Sequence, residues 1–502
     1  MSKILFFNPR AAESKARVPN SILSIAASID GKYDYAIVDG NLENNPLKVL
    51  KKYLDTGEYN VFACTVMPGP QLKQAIPFTK EIRNKYEVKV IWGGYFPSNH
   101  SKVSINSGYV DYIIYGPGDV AFPMLMEAIT KKDETYSSLF KIPNLIFNDN
   151  GLVVKTKKDE LYDQDILPPL PYEKLDKFYP MRKYIGKSIL GSKTFAYHSS
   201  VGCPFKCAFC GVVPIYNARW RGRSAEKIYE DIKEVKEKYG IDAVEFYDSN
   251  FFVSEKRVVD FARLIKKENL TWWGEGRIDT IDKYADESLA IMREAGCVMI
   301  FHGAESGNDE MLKKMDKGGT QSGEQIKRFA ARMAKFDIIP EYSFVVGTPA
   351  ATEEEVNKQI DFDIQFIREI KEINPKTEII IYVYSPVPTE GSQLSYDVIK
   401  SGFHFPQTLD DWTDPQWENF DLHRNPLTPW LKPYMVKKIK DFETVLNGYY
   451  PTVTDTKLTP FRISVLKTIS SIRYKYNWNK FPYEIKALHR IFKYRRPELE
   501  GF

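Results

Sequence analysis

Cysteine is scarce in this 502-residue chain: there are five, an odd number that cannot make the disulfide framework of a small secreted domain. An imbalance of charge is missing too. The formal net charge of +4, from 70 basic and 66 acidic side chains, is too small to argue for nucleic acid as a partner of the whole chain. No apolar run reaches the roughly 18 residues that a bilayer-spanning helix needs. The opening Met1–Arg10 has only four apolar residues in a row before Asn8-Pro9, the pattern of a buried strand rather than a secretory signal. Glycine (29) and proline (30) stay well below the share that marks low complexity, so a globular protein is expected. At this length two or three domains are the natural division. A reducing, cytoplasmic location follows as the expectation.

What is present starts with where the cysteines fall. Cys203, Cys207 and Cys210 lie within eight residues as C-x3-C-x2-C, on a loop expected after a short strand; Cys64 and Cys297 do not extend the group. Three thiolates suit an iron–sulfur cluster better than structural zinc, which takes four closed ligands. A 4Fe–4S cluster held by three cysteines leaves one iron open. The alternative is a zinc loop completed by His198 or His302. The spacing resembles that of the radical S-adenosylmethionine (SAM) superfamily. In that family the open iron chelates the amino and carboxylate groups of SAM, and an electron from the cluster cleaves it to a 5′-deoxyadenosyl radical. The resemblance implies a reduced flavodoxin or ferredoxin as electron donor and an anaerobic setting.

Residues 1–135 alternate strands and helices at α/β spacing. Strands are expected at Ile4–Phe7, Tyr35–Val38, Val61–Val66, Val88–Trp92 and Val110–Tyr115, with helices at Asn20–Ile29, near Pro46–Leu54 and at Gln71–Asn84. Such a chain folds as a doubly wound parallel sheet with its ligand crevice at the strands' carboxyl ends. The loops there carry Asn8-Pro9, Asp39, Thr65, Gly93-Gly94 and Gly116-Pro-Gly118-Asp119. Ahead of a radical SAM core, this pattern resembles the cobalamin-binding domain of cobalamin-dependent radical SAM proteins, and the resemblance places those residues on the cobalamin side. Many such domains carry Asp-x-His-x-x-Gly. Here the segment is Asp39-Gly-Asn-Leu-Glu-Asn44, so cobalamin is expected without a histidine below the metal. His100 reads as a surface residue at a helix start.

Residues 136–190 read as a connector with a small hairpin (Asn144–Phe147 and Leu152–Lys155), closed by the proline-rich Leu167–Tyr172. From 191 to 392 six strand–helix units imply a partial (β/α)6 barrel, with chemistry at the carboxyl ends of its strands. Strands are expected near Phe195–Ser200, Ala243–Tyr247, Thr271–Gly274, Val298–Gly303, Tyr342–Val346 and Glu378–Tyr384. By resemblance to the family, Phe209 packs near the SAM adenine. Asp248, Arg277, Glu305 and Ser306 occupy strand ends on the SAM side. Arg219, Arg221 and Arg223 are expected to shield the cluster's charge and cap loops.

Residues 393–502 read as a mainly helical extension. Trp412, Trp417 and Trp430, with His404 and His423 among them, resemble the substrate-side extension of the anaerobic cyclase and methylase branch, and they would close the barrel mouth over a bulky, apolar small molecule. From Phe461 to Arg496 ten basic residues face one acidic, Glu484, while Phe461, Val465, Ile469 and Ile472 recur at near-helical spacing. Such a helix lies on an anionic membrane, receives a partner, or docks back on its own protein. The expected activity is cobalamin-dependent methyl transfer to an unactivated carbon or phosphorus. The alternatives are an anaerobic oxidative cyclase, a radical enzyme without cobalamin, and an iron–sulfur sensor.

Overall fold

A computed structural model describes residues 2–11, 16–315, 321–389, 391–417 and 427–496. Its first sheet holds β1 (Lys3–Asn8), β2 (Tyr35–Asp39), β3 (Tyr59–Thr65), β4 (Lys89–Gly93), β5 (Tyr112–Ile114), β6 (Leu145–Asp149) and β7 (Leu152–Lys155) in the order β2-β1-β3-β4-β5-β6-β7. The first five run parallel. Ile4, Leu5, Phe6 and Phe7 are all buried, as a parallel strand covered on both faces demands. Because the strand order reverses between β1 and β3, the crevice opens beyond Asn8 and Thr65. The hairpin expected in the connector instead extends this sheet, with β6 pairing antiparallel to β5.

The second sheet contains β8 (Thr194–Tyr197), β11 (Ala243–Phe246), β12 (Thr271–Gly276), β13 (Cys297–Glu305), β14 (Ile339–Val346) and β15 (Glu378–Val383), all parallel and in the order β15-β14-β13-β12-β11-β8. Between β8 and β11 sits a ribbon that the sequence pattern does not reveal, β9 (Ser200–Gly202) against β10 (Trp220–Gly222). The helix Ala225–Tyr239 returns the chain from β10 to β11. Ser224 caps its start by accepting from the Lys227 amide, and Gly240 ends it in the left-handed region at φ 66°. Residues alternate along each strand. Phe246, Trp272 and Ile300 pack under the helices, while Ala243, Trp273 and Met299 gather inside the barrel with Tyr247 and Phe301.

The C-terminal aromatics divide. Trp430 donates from Nε1 to the Gly347 carbonyl at 2.9 Å, at the carboxyl end of β14. Trp412 and Trp417 instead pack against each other, and Trp412 meets Phe96 and His100 of the N-terminal domain and Phe405. His100 is therefore no surface residue. It lies within an aromatic cluster, and burial pushes its pKa down to about 3, so it stays neutral. His423 lies outside the described residues. Among the described residues no helix is long and apolar enough to cross a membrane.

Candidate functional site

The cysteine loop leaves β9 through Gly202, whose φ is +76°; a Cβ there would stand 2.1 Å from the Arg219 carbonyl, so this corner needs glycine. The loop is held from both sides. The Ala208 amide donates to the Met315 carbonyl (2.9 Å), and the Thr389 hydroxyl donates to the Ala208 carbonyl (2.5 Å). None of the three sulfurs is in a disulfide, and all three residues are partly exposed. Burial pushes the Cys203 thiol up, while the Phe205 amide, Arg277 and Asn250 pull it back. Arg277 donates from Nη1 to the Cys207 sulfur at 3.1 Å, stands 3.9 Å over the Phe205 ring, and is clamped by both oxygens of Asp279 (2.8 and 2.7 Å). The fixed guanidinium thus holds a positive charge against the loop's sulfurs.

The donor chemistry suits a multi-iron cluster. Among the described residues no three His, Cys, Asp or Glu side chains gather where a single ion would sit. His302 packs in the core against Phe329 and Tyr342, and His198 Nδ1 lies 3.1 Å from Asn20 Nδ2, so neither completes a zinc site. Arg277 takes the place expected of the arginine run. Arg219 instead caps the Tyr216 carbonyl, and Arg223 pairs with Asp231 and the Tyr197 hydroxyl.

The other SAM-side residues are placed unequally. Phe209 is half-buried against the core. Glu305 ends β13 with φ 64°, a left-handed backbone uncommon outside glycine. Ser306 donates to Asp363 Oδ1 (2.7 Å) on the outer helix Glu353–Ile373. Asp248, 1% exposed, accepts from the Ser199 amide (3.1 Å) and hydroxyl (2.9 Å) and from the Ser200 hydroxyl. It therefore fixes the two residues that lead into β9 and the cysteine loop.

Sequence reasoning missed the acids inside the barrel. By parity with Ala243, Trp273 and Ile339, Glu245, Glu275 and Glu341 project to the interior. Tyr247 donates to Glu245 (2.8 Å), and Trp273 donates to Glu341 (3.0 Å). Arg17 reaches in from the N-terminal domain and stacks 4.2 Å over Tyr247. Glu275 has no hydrogen-bond partner among the described residues, and burial, reinforced by Asp248 and opposed by Arg17, pushes its pKa up to about 8. The folded chain thus keeps a proton there that the unfolded chain loses above about 4.5. Stability is expected to fall as pH rises from that value towards 8, by at most about 1.4 kcal/mol per pH unit. Urea unfolding of Glu275→Gln should show a shallower decline than wild type between pH 6 and 8.

On the cobalamin side, Asp39 is fully buried, and burial raises its pKa. It accepts from Asn8 (3.1 Å), Asn41 (2.9 Å) and the Tyr184 hydroxyl (2.8 Å), which ties the connector to the sheet. The Pro9 carbonyl accepts from Gln71 (3.0 Å). Thr65 meets Ser21 (3.1 Å), and Asp119 accepts from Ser24 (2.6 Å), both on the helix Asn20–Ile29. Gly94, at φ 96°, packs against Thr65 and Val66, and Gly118 against Ile25. A Cβ on Gly116 would stand 3.5 Å from the Ile215 carbonyl, and one on Gly93 would meet only the Ile114 carbonyl at 3.8 Å, so the Gly93 face is open. This edge of the sheet meets the barrel where Asn20 approaches Ala196 and His198. A cavity of about 1080 Å³ opens beside Cys207 and Thr389, with Ser98 and Asn99 on the N-terminal domain's side and Lys155, Lys206, Lys313 and Lys314 at its walls.

Residues 197–362, which hold the cysteine loop and the barrel strands β11 to β14, match the family model of the radical SAM superfamily. Over 373 residues the chain is similar to an uncharacterized methyltransferase of Pyrococcus horikoshii, 28% identical, with 72% of this chain and 77% of that one covered. Its fold is that of the cobalamin-dependent SAM radical enzyme OxsB, solved with aqua-cobalamin and SAM (TM-score 0.69, 14% identity, 98% of this chain and 75% of that one). It also resembles the radical SAM methyltransferase TsrM from Kitasatospora setae, solved with cobalamin and a [4Fe-4S] cluster (TM-score 0.61, 17% identity, 78% and 77% covered).

Proposed function

We propose that this chain is a cobalamin-dependent radical SAM methyltransferase acting on a bulky organic molecule in the cytoplasm. The observation that carries the reading is the cysteine loop, with three sulfurs outside any disulfide and Arg277 against one of them. Its support is the methyltransferase names of similar chains and the cobalamin-bound solved folds. When bound, the cluster, SAM and cobalamin supply the reductive cleavage and the methyl donation. The chain supplies the rest. Cys203, Cys207 and Cys210 would hold the cluster, and Arg277 would stabilise its negative charge. The open face of Gly93 and the Thr65–Met67 loop would support a corrin ring through backbone, in keeping with the missing histidine. Arg17, Tyr247 and Glu275 would line the chamber between the domains. The lysines around the cavity beside Cys207 would present positive charge to the surface of an acidic electron carrier such as reduced flavodoxin or ferredoxin.

Anaerobic incubation of the cluster- and cobalamin-reconstituted chain with SAM and a reductant tests this reading. Formation of both 5′-deoxyadenosine and S-adenosylhomocysteine is expected. A cyclase would give the first without the second, and a sensor would give neither.

A further inference from the structure

The helix Pro460–Lys475 is docked on the protein by the wrong face for an ordinary amphipathic helix. Its buried side is Leu466, Ser470, Arg473 and Tyr474, with the Tyr474 ring stacked 4.6 Å from Tyr449. Its apolar stripe, at spacings of three and four, points outward: Phe461 is 74% exposed, Val465 half-buried, Ile469 40%, Ile472 63%, and Tyr476, just past the helix end, 80%. Trp478 (56%) and Tyr483 (66%) continue this surface to the next helix, Tyr483–Phe492, which docks through Ile485. Exposed large apolar side chains on this scale mark an interaction surface.

The charge around the stripe selects its occupant. Glu484 is neutralised by Arg473, and Arg496 is buried against Asn447 and the Ile379 carbonyl. Lys467, Lys475, Lys480, Arg490, Lys493 and Arg495 remain exposed. Like charges oppose a second copy of the same face, and the aliphatic Ile469 and Ile472 have no counterpart on a nucleic acid. Basic side chains flanking a stripe of Phe, Ile, Tyr and Trp match the headgroup boundary of an anionic bilayer.

We propose that residues 461–491 form a docking surface for an anionic lipid bilayer, with the apolar stripe at the acyl boundary and the lysines and arginines on the headgroups. The inference is independent of the chemistry proposed above. The test is co-sedimentation of the full chain with vesicles of phosphatidylcholine alone or mixed two to one with phosphatidylglycerol. Partitioning onto the mixed vesicles should exceed that onto the neutral ones about tenfold and fall as salt is raised. A Phe461→Ser/Ile472→Ser/Tyr476→Ser variant should lose it while keeping its far-ultraviolet circular dichroism, because the replaced side chains are exposed. A Lys475→Glu/Lys493→Glu variant should lose the preference for phosphatidylglycerol. Equal binding to both vesicles, no binding to either, or unchanged binding by the serine variant would overturn the proposal. So would a wild-type dimer in sedimentation that the serine variant abolishes, or retention of RNA in place of lipid.

Discussion

Changing any one of Cys203, Cys207 or Cys210 to alanine is expected to abolish SAM cleavage, a loss of at least about 10³-fold, the scale seen when one member of an interdependent set is removed. Two thiolates do not secure a four-iron cluster, and among the described residues neither candidate histidine can stand in. His302 is packed between aromatic rings, and His198 faces Asn20. Iron content should fall with activity. Cys64→Ala and Cys297→Ala are the matched controls. Both thiols are buried in apolar surroundings that push their pKa up, which marks them as packing residues rather than ligands. Those variants should retain iron and activity at a stability cost below about 2 kcal/mol.

Asp248→Ala carries the second large effect. The carboxylate is 1% exposed, and its loss leaves the Ser199 amide, the Ser199 hydroxyl and the Ser200 hydroxyl without their acceptor. Stranding such donors around a former buried charge costs about 3–5 kcal/mol. Arg257, which donates to the Ser199 hydroxyl at 2.5 Å, loses its counter-charge at the same time. Because Ser199 and Ser200 lead directly into β9, the cysteine loop should lose its register as well. The expected result is a lower urea midpoint together with iron lost on gel filtration. Asp248→Asn, which keeps the shape and one acceptor oxygen, should retain part of both. A full iron complement in Asp248→Ala would show that the loop is fixed by its Met315 and Thr389 anchors alone.

Much of this was legible before any coordinates, because the signals were local. The helices Asn20–Ile29 and Pro46–Leu54 fall where expected, and each strand of both parallel sheets lies within a few residues of its apolar run. The misses share a cause in distance along the chain. Asp39 sits at the end of an expected strand, but its partners Tyr179 and Tyr184 lie about 140 residues away, so its inward role cannot be read from its own segment. His100 follows a short helix, and what buries it is Phe405 and Trp412. The hairpin's pairing with β5 is likewise a tertiary choice. Glu275 was missed for a simpler reason. Glycines at 274 and 276 suggest that the strand ends at Gly274, yet β12 continues to Gly276 and carries the acid into the barrel. Arg17, two residues before Pro19, gave no local hint that it would stack on Tyr247.

The interior acids also refine the expected substrate. A wholly apolar molecule would leave Glu275 without a partner at high desolvation cost. A large molecule that offers a hydrogen-bond acceptor to the protonated Glu275 would suit this chamber better.

The central claim is that three sulfur ligands leave one iron free to take SAM. Electron–nuclear double resonance of the reduced, anaerobically reconstituted chain with SAM bearing ¹⁷O in its carboxylate and ¹⁵N in its amino group tests it most directly. Hyperfine coupling from both labels to the cluster is the predicted result. A four-iron cluster that forms and reduces normally but shows neither coupling would contradict the account.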